Sequence, residues 1–104
     1  MKVSQIAPLI DADTVVAGDG KKEVSSVYAG DFLSRVMGKA PADCIWLTVM
    51  ANVNVAGVAV LAEIPAIVLC EGVKPDEMLV QKCLSENIAL FTTQKSVYEC
   101  CKLL

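Results

Sequence analysis

The longest uncharged stretch of the chain runs from Cys44 to Ala62, CIWLTVMANVNVAGVAVLA, and its two halves differ in kind. Cys44–Val49 is β-branched and aromatic, Val55–Ala62 is rich in Ala and Gly, and a second apolar run, Ala66–Leu69, follows Pro65. Short apolar runs without polar alternation mark strands covered on both faces, as in a parallel sheet. The predicted order is strand, helix, strand: a βαβ unit turning at Ala51-Asn52-Val53-Asn54. Residues 44–62 are also long enough to span a bilayer. The asparagines and threonine within them, the acids Asp43 and Glu63 beside them, and the lack of a flanking Lys/Arg cluster argue against a membrane span.

Around this unit the pattern is amphipathic. Val3, Ile6, Ala7 and Ile10 recur at helical spacing, with Ser4 as N-cap and Pro8 keeping the helix short. Thr14–Ala17 reads as a strand, Gly18-Asp19-Gly20 as a turn and Val24–Ala29 as a second strand, which together predict a hairpin. Gly30-Asp31 opens a helix that Asp31 caps, with Phe32, Leu33, Val36 and Met37 as its apolar stripe and Gly38 as its stop. The helix after Asn52 or Asn54 is apolar nearly all round, with Ala56, Gly57, Ala59 and Ala62 as its small residues. Such a helix is either buried or pressed against another subunit, and a homodimer is expected.

Pro75-Asp76-Glu77 starts the next helix, whose inner face is Leu79, Val80, Cys83 and Leu84. Ile88–Phe91 is a third parallel strand. Ser96 and Glu99 form a capping box for the last helix, with Val97, Cys100, Cys101 and Leu104 on one face. The fold class is therefore α/β: a single three-layer domain, residues 1–104, with a largely parallel sheet (a β-α-β-α-β core) plus an N-terminal helix and hairpin.

Composition narrows function mainly by exclusion. The chain has 104 residues, 55% hydrophobic and only 5% aromatic, enough for a core of Val, Ala, Leu and Ile without metal or disulfide staples. A net charge of −3, with Lys21-Lys22 as the only basic doublet, argues against a nucleic-acid face. Five cysteines, at 44, 70, 83, 100 and 101, have no CxxC spacing, and histidine is absent, so no metal site is expected. The thiols are expected to be reduced and buried and the protein cytoplasmic, since Pro8 and Asp11 interrupt any secretory signal. No GxSxG, GxxxxGK[ST] or GxGxxG string occurs, so no catalytic residue and no cofactor is assigned.

In an open α/β sheet, ligands sit beyond the carboxyl ends of the strands, near helix N-termini. Three predicted loops meet that description. They supply the candidate ligand-binding residues Thr48, Asn52 and Asn54; Cys70, Glu71, Gly72 and Lys74; and Thr92, Thr93 and Gln94. Each has a structural reading as well. Asn52 or Asn54 can cap the helix, and Cys70 can be apolar filler rather than a thiolate activated by a helix N-terminus. Gly72 can supply positive φ, and Ser96 capping can account for the last loop. Tyr28, Trp46 and Tyr98 read as core residues with a polar tip.

The strings GDFLSRVM, IPAIVLCEG and KPDE, set in this order of elements, resemble the DRTGG domain. That domain is similar to the N-terminal domain of HPr kinase/phosphorylase and occurs in CBS-containing pyrophosphatases and long phosphate acetyltransferases. The resemblance covers nearly the whole chain. It implies a non-catalytic regulatory or ligand-sensing role, with an adenine nucleotide or another small phosphometabolite as ligand. The alternative is an interaction module that docks an enzyme or signalling partner. The family's Asp-Arg pair is replaced here by Ala51-Asn52 and its Thr-Gly-Gly by Cys70-Glu71-Gly72, so only Gly72 matches. The arginine's anion-binding duty does not carry over. Kinase activity is not implied, because the phosphate-binding loop of HPr kinase lies in its other domain.

Overall fold

In the computed structural model, which describes residues 1–104, a 3-10 turn (Val3–Gln5) runs into α1 (Ile6–Ile10). There follow β1 (Asp13–Val16), β2 (Ser26–Ala29), α2 (Leu33–Lys39), β3 (Cys44–Thr48) and α3 (Val53–Leu61). The chain continues through β4 (Ala66–Leu69), α4 (Glu77–Ser85), β5 (Ala89–Thr92) and α5 (Val97–Leu103). The strands make one five-stranded sheet in the order β1-β5-β4-β3-β2. Strands β2 to β5 are mutually parallel, and β1 is antiparallel to β5.

The expected βαβ unit is present. β3 and β4 are parallel neighbours, buried at every residue, and α3 connects them. The uncharged stretch thus splits at Val49–Asn52, and no helix is long and apolar enough to cross a membrane.

Both faces of these strands are used. Each successive parallel strand adds on the same side of the last, so right-handed crossovers place α2, α3 and α4 on one face. Cys44, Trp46, Ile67, Leu69 and Leu90 point into that layer, against Val36, Val55, Ala59, Leu79 and Cys83. The alternate residues Ile45, Leu47, Ala66, Val68, Ala89 and Phe91 point the other way, toward Val3, Ile6, Ile10 and Cys100 of the layer built by α1 and α5. Two apolar layers explain why the strands carry no polar alternation. Trp46 is fully buried, and its indole Nε1 donates to the Gly30 carbonyl at 2.9 Å, which satisfies its polar tip.

The predicted hairpin does not form: β1 and β2 lie at opposite edges of the sheet. The turn signal itself is real, with Lys22 N–H donating to Asp19 O at 3.1 Å. Residues 17–25 nevertheless cross below the amino ends of the parallel strands, where Val3 N–H donates to Lys22 O and Val24 N–H to Met1 O. That crossing spans four inter-strand spacings, about 19 Å, well within the roughly 30 Å reach of the segment. β2 is instead a fourth parallel strand, because α2 joins it to β3 in a further βαβ unit.

Several local expectations are corrected. Ser4 caps nothing, since Gln5 Oε1 takes the Lys2 N–H at the start of the first turn. Asp31 does not cap α2, and Phe32 and Met37 of its predicted stripe are exposed. α2 runs one residue past Gly38, to Lys39. Leu84 points outward at 61% exposure, Tyr98 is exposed, and Cys101 is the one exposed cysteine. α3 is not wholly covered either: Leu61 is 72% exposed, although Val55, Ala56 and Ala59 are buried.

Candidate functional site

The connections leaving the carboxyl ends of β2, β3 and β4 all pass to the α2–α3–α4 face, whereas the one leaving β5 passes to the α5 face. Only β4 and β5 are therefore adjacent parallel strands whose outgoing loops diverge, and divergence opens a crevice at the strand ends. A cavity of about 450 Å³ lies there. One wall is Gly72, Val73, Lys74 and Pro75 of the β4–α4 loop, and the other is Thr92, Thr93, Gln94 and Lys95 of the β5–α5 loop. Asp11, Asp13 and Val15 close the outer side. They reach it because β1 runs antiparallel, pairing Asp13 with Thr92 and so lifting its own start to the carboxyl end of β5.

Backbone bonds set the shape of the cavity floor. Glu71 N–H donates to Lys95 O at 2.8 Å and Gly72 N–H to Thr93 O at 2.9 Å. Val73 N–H returns to Cys70 O at 3.3 Å, closing a turn whose central residues are both left-handed, Glu71 at φ 61° and Gly72 at φ 73°. Glycine adopts this conformation freely, while Glu71 is strained in it. The buried Thr93 hydroxyl donates to Ile10 O at 3.5 Å and accepts from Lys95 N–H at 3.2 Å, so it fastens the β5 loop to α1. The three ion pairs of the chain involve none of Asp11, Asp13, Lys74 and Lys95. The cavity is thus bordered by two ammonium groups and two carboxylates that are free of one another.

Of the ten candidate residues, Gly72, Lys74, Thr92, Thr93 and Gln94 line this cavity, and Thr48, Asn52, Asn54, Cys70 and Glu71 do not. The loop after β3 is occupied with its own structure. Buried Thr48 donates from Oγ1 to Asp31 Oδ1 at 2.7 Å and accepts from Met50 N–H at 3.3 Å. Asn52 is the N-cap of α3, its Oδ1 accepting from Asn54 N–H at 3.0 Å, and the Asn54 side chain is exposed. Glu71 projects to solvent. Cys70 is fully buried, and burial pushes its thiol up to about 12, the reverse of an activated thiolate.

Asp11, Asp13 and Asp31 were not legible as members of the strand-end cluster. Asp13 owes its place to the antiparallel pairing of β1, which no local pattern reveals. Asp31 accepts from Thr48 Oγ1 and from Val49 N–H at 3.0 Å, joining the ends of β2 and β3. Its signal was present in principle, as an acid two residues past a strand end with a threonine ending the next strand. No group of three or more His, Cys, Asp or Glu side chains is arranged to hold a metal ion. The cavity offers ammonium, amide, hydroxyl and carboxylate groups, a set suited to holding a polar, partly anionic molecule.

The fold is similar to that of the CBS and DRTGG domains in the regulatory region of Clostridium perfringens pyrophosphatase, whose crystal structure is a complex with the activator diadenosine tetraphosphate. The match has a TM-score of 0.75 at 12% sequence identity and covers 94% of this chain. It covers 43% of that chain, so this protein spans less than half of its structural neighbour. Neither protein-family models nor curated proteins give a match. At this level of identity the likeness concerns architecture, and the architecture is a DRTGG-like α/β fold.

Proposed function

We propose that this protein is a non-catalytic regulatory domain that senses a small phosphorylated metabolite, with adenine nucleotides as the first class to test. The ligand sits between the β4–α4 and β5–α5 loops, held by Gly72, Lys74, Thr92, Thr93 and Gln94 together with Lys95. The observation that carries this reading is the cavity of about 450 Å³ at the only divergent pair of strand ends, bordered by two lysines that join no ion pair. Its volume falls within the range of about 300–1,000 Å³ usual for small-molecule sites. Lys74 and Lys95 would meet phosphate oxygens, while Asp11 and Asp13 would accept hydrogen bonds from sugar hydroxyls. The nucleotide activator bound to the pyrophosphatase region supports the choice of ligand class. Residues 1–104 act as one unit in this reading, as a homodimer in the cytoplasm.

A thermal-shift panel of AMP, ATP, diadenosine tetraphosphate and inorganic phosphate tests it. A ligand present at about 100 times its Kd adds about 2.7 kcal/mol of stability, a shift that Lys74→Ala and Lys95→Ala should each abolish or reduce. No shift with any of the four overturns the sensing role. The second reading, a docking module for an enzyme or signalling protein, then stands on Leu61, Met78 and Leu84, three apolar side chains of α3 and α4 that are 72%, 66% and 61% exposed.

A further inference from the structure

The sheet divides the cysteines. Cys44 and Cys83 lie in the layer under α2, α3 and α4, whereas Cys70 and Cys100 lie in the opposite layer, and Cys101 is exposed. In that second layer two sulfurs meet: Cys70 Sγ stands 3.9 Å from Cys100 Sγ. Cys70 immediately precedes the Glu71–Gly72 turn of the cavity floor, and Cys100 is the one fully buried residue of α5. A disulfide requires the sulfurs to close by about 2 Å, a distance within the swing of one cysteine side chain between rotamers.

Access is governed by α5. This helix of seven residues is held on the sheet by Cys100, with Val97 and Leu104 half-buried beside it. While it is docked, both thiols are dry and burial raises each above its ordinary value, which keeps them protonated. Lifting α5 would carry Cys100 off the sheet and uncover the side of Cys70 that its sulfur touches, while Cys44 and Cys83 lie on the other face of the sheet.

We infer that Cys70 and Cys100 are a reversible dithiol–disulfide pair that locks α5 to the end of β4 when a peroxide reaches them. One thiolate attacks a peroxide oxygen and breaks the O–O bond, giving a sulfenic acid and one water. The second sulfur then displaces the hydroxyl as a second water and forms the S–S bond, so two thiols lose two hydrogens in all and the peroxide takes them up. A reducing dithiol reverses the step by exchange. The bond would fix the Cys70–Gly72 turn against α5 and so restrict both walls of the cavity. That last consequence rests on the ligand-sensing reading, and the cross-link does not.

The test uses the whole chain with Cys101→Ser, which removes the exposed thiol. Treatment with hydrogen peroxide should lower the mass by two hydrogens and yield one linked peptide pair, Cys70 with Cys100, that dithiothreitol separates. Cys100→Ala in the same background should melt cooperatively yet form no link. Sulfinic or sulfonic adducts without a link, or a link through Cys44 or Cys83, overturns the pair. Thermal shifts with the same nucleotide panel are then compared for the oxidised and reduced chains. Equal shifts overturn the regulatory coupling, and a shift in neither form counts against the sensing role while leaving the cross-link result standing.

Discussion

Replacing Gly72 by Ala probes how the turn beneath the cavity is held. Gly72 has φ +73°, and an added Cβ would stand 2.6 Å from Gln94 Oε1. The steric part of that cost is small, because the Gln94 side chain is exposed and can rotate away. What remains is the left-handed backbone, which costs a residue with a Cβ about 1–2 kcal/mol. Gly18 is the contrasting position: φ is +62°, and a Cβ would lie 2.5 Å from the backbone N and 2.8 Å from the Cα of Ala89 in β5. A central strand cannot rotate away, so an overpacking cost of about 1–3 kcal/mol adds to the conformational one, about 2–5 kcal/mol in total. Urea unfolding followed by the fluorescence of Trp46, the single tryptophan, gives both values from midpoints at unchanged slope. Gly72→Asn should recover part of the Gly72→Ala loss, since Asn tolerates the left-handed region. Equal losses at the two glycines would refute the separation of backbone from steric cost. So would a Gly72→Ala loss that disappears in a Gln94→Ala background.

Four further outcomes are expected. Asp31→Ala leaves the buried Thr48 hydroxyl and the Val49 N–H without their acceptor and should cost about 1–3 kcal/mol in chemical denaturation, and strict additivity with Thr48→Val would contradict the pairing. Ser96→Ala should cost about 1 kcal/mol, because Ser96 Oγ accepts from Glu99 N–H at 3.1 Å at the start of α5. The Ser96 backbone N–H donates to Glu99 Oε1 and holds that carboxyl below its ordinary value. Its stabilising effect is therefore present above the unfolded pKa and lost as pH falls through the lower folded one, so Glu99→Gln should flatten the acid limb of a midpoint-versus-pH curve. Burial pushes Cys44 and Cys83 up to about 11 and Cys70 to about 12. Stability from these thiols is complete below the unfolded value of about 8.5 and is lost as pH rises toward those values, so a Cys83→Ala chain should show a shallower alkaline slope.

The parts of the fold that were legible are those whose burial is symmetric. β3 and β4 could be read because residues facing both layers are apolar, and the capping box at Ser96 and Glu99 could be read because its chemistry is local. The hairpin failed for the opposite reason. Gly18-Asp19-Gly20 does turn the chain, but strand partners are chosen by the whole sheet, and β1 finds its neighbour far along the sequence. Residue orientation on short helices was likewise hidden: Leu84 and Cys101 lie close to apolar stripes that the helices present elsewhere. The site was half legible. Loops after β4 and β5 follow from element order alone, whereas the aspartates opposite them depend on the direction of β1; Thr48 was already bonded to Asp31 of the neighbouring loop and Asn52 to Asn54 of its own.

The pairing of β1 with β5 also bears on how the chain is made. Asp13 and Thr14 meet Thr92 and Phe91, and Gly18 rests against Ala89, so the first strand of this sheet to be synthesised must wait for the last of its five. Until residues 89–92 emerge, β1 has no hydrogen-bonding partner, and Asp11 and Asp13 have no wall to face. Nascent chains stalled ahead of that point should remain open to proteolysis near Thr14, and protection there should arrive in one late step.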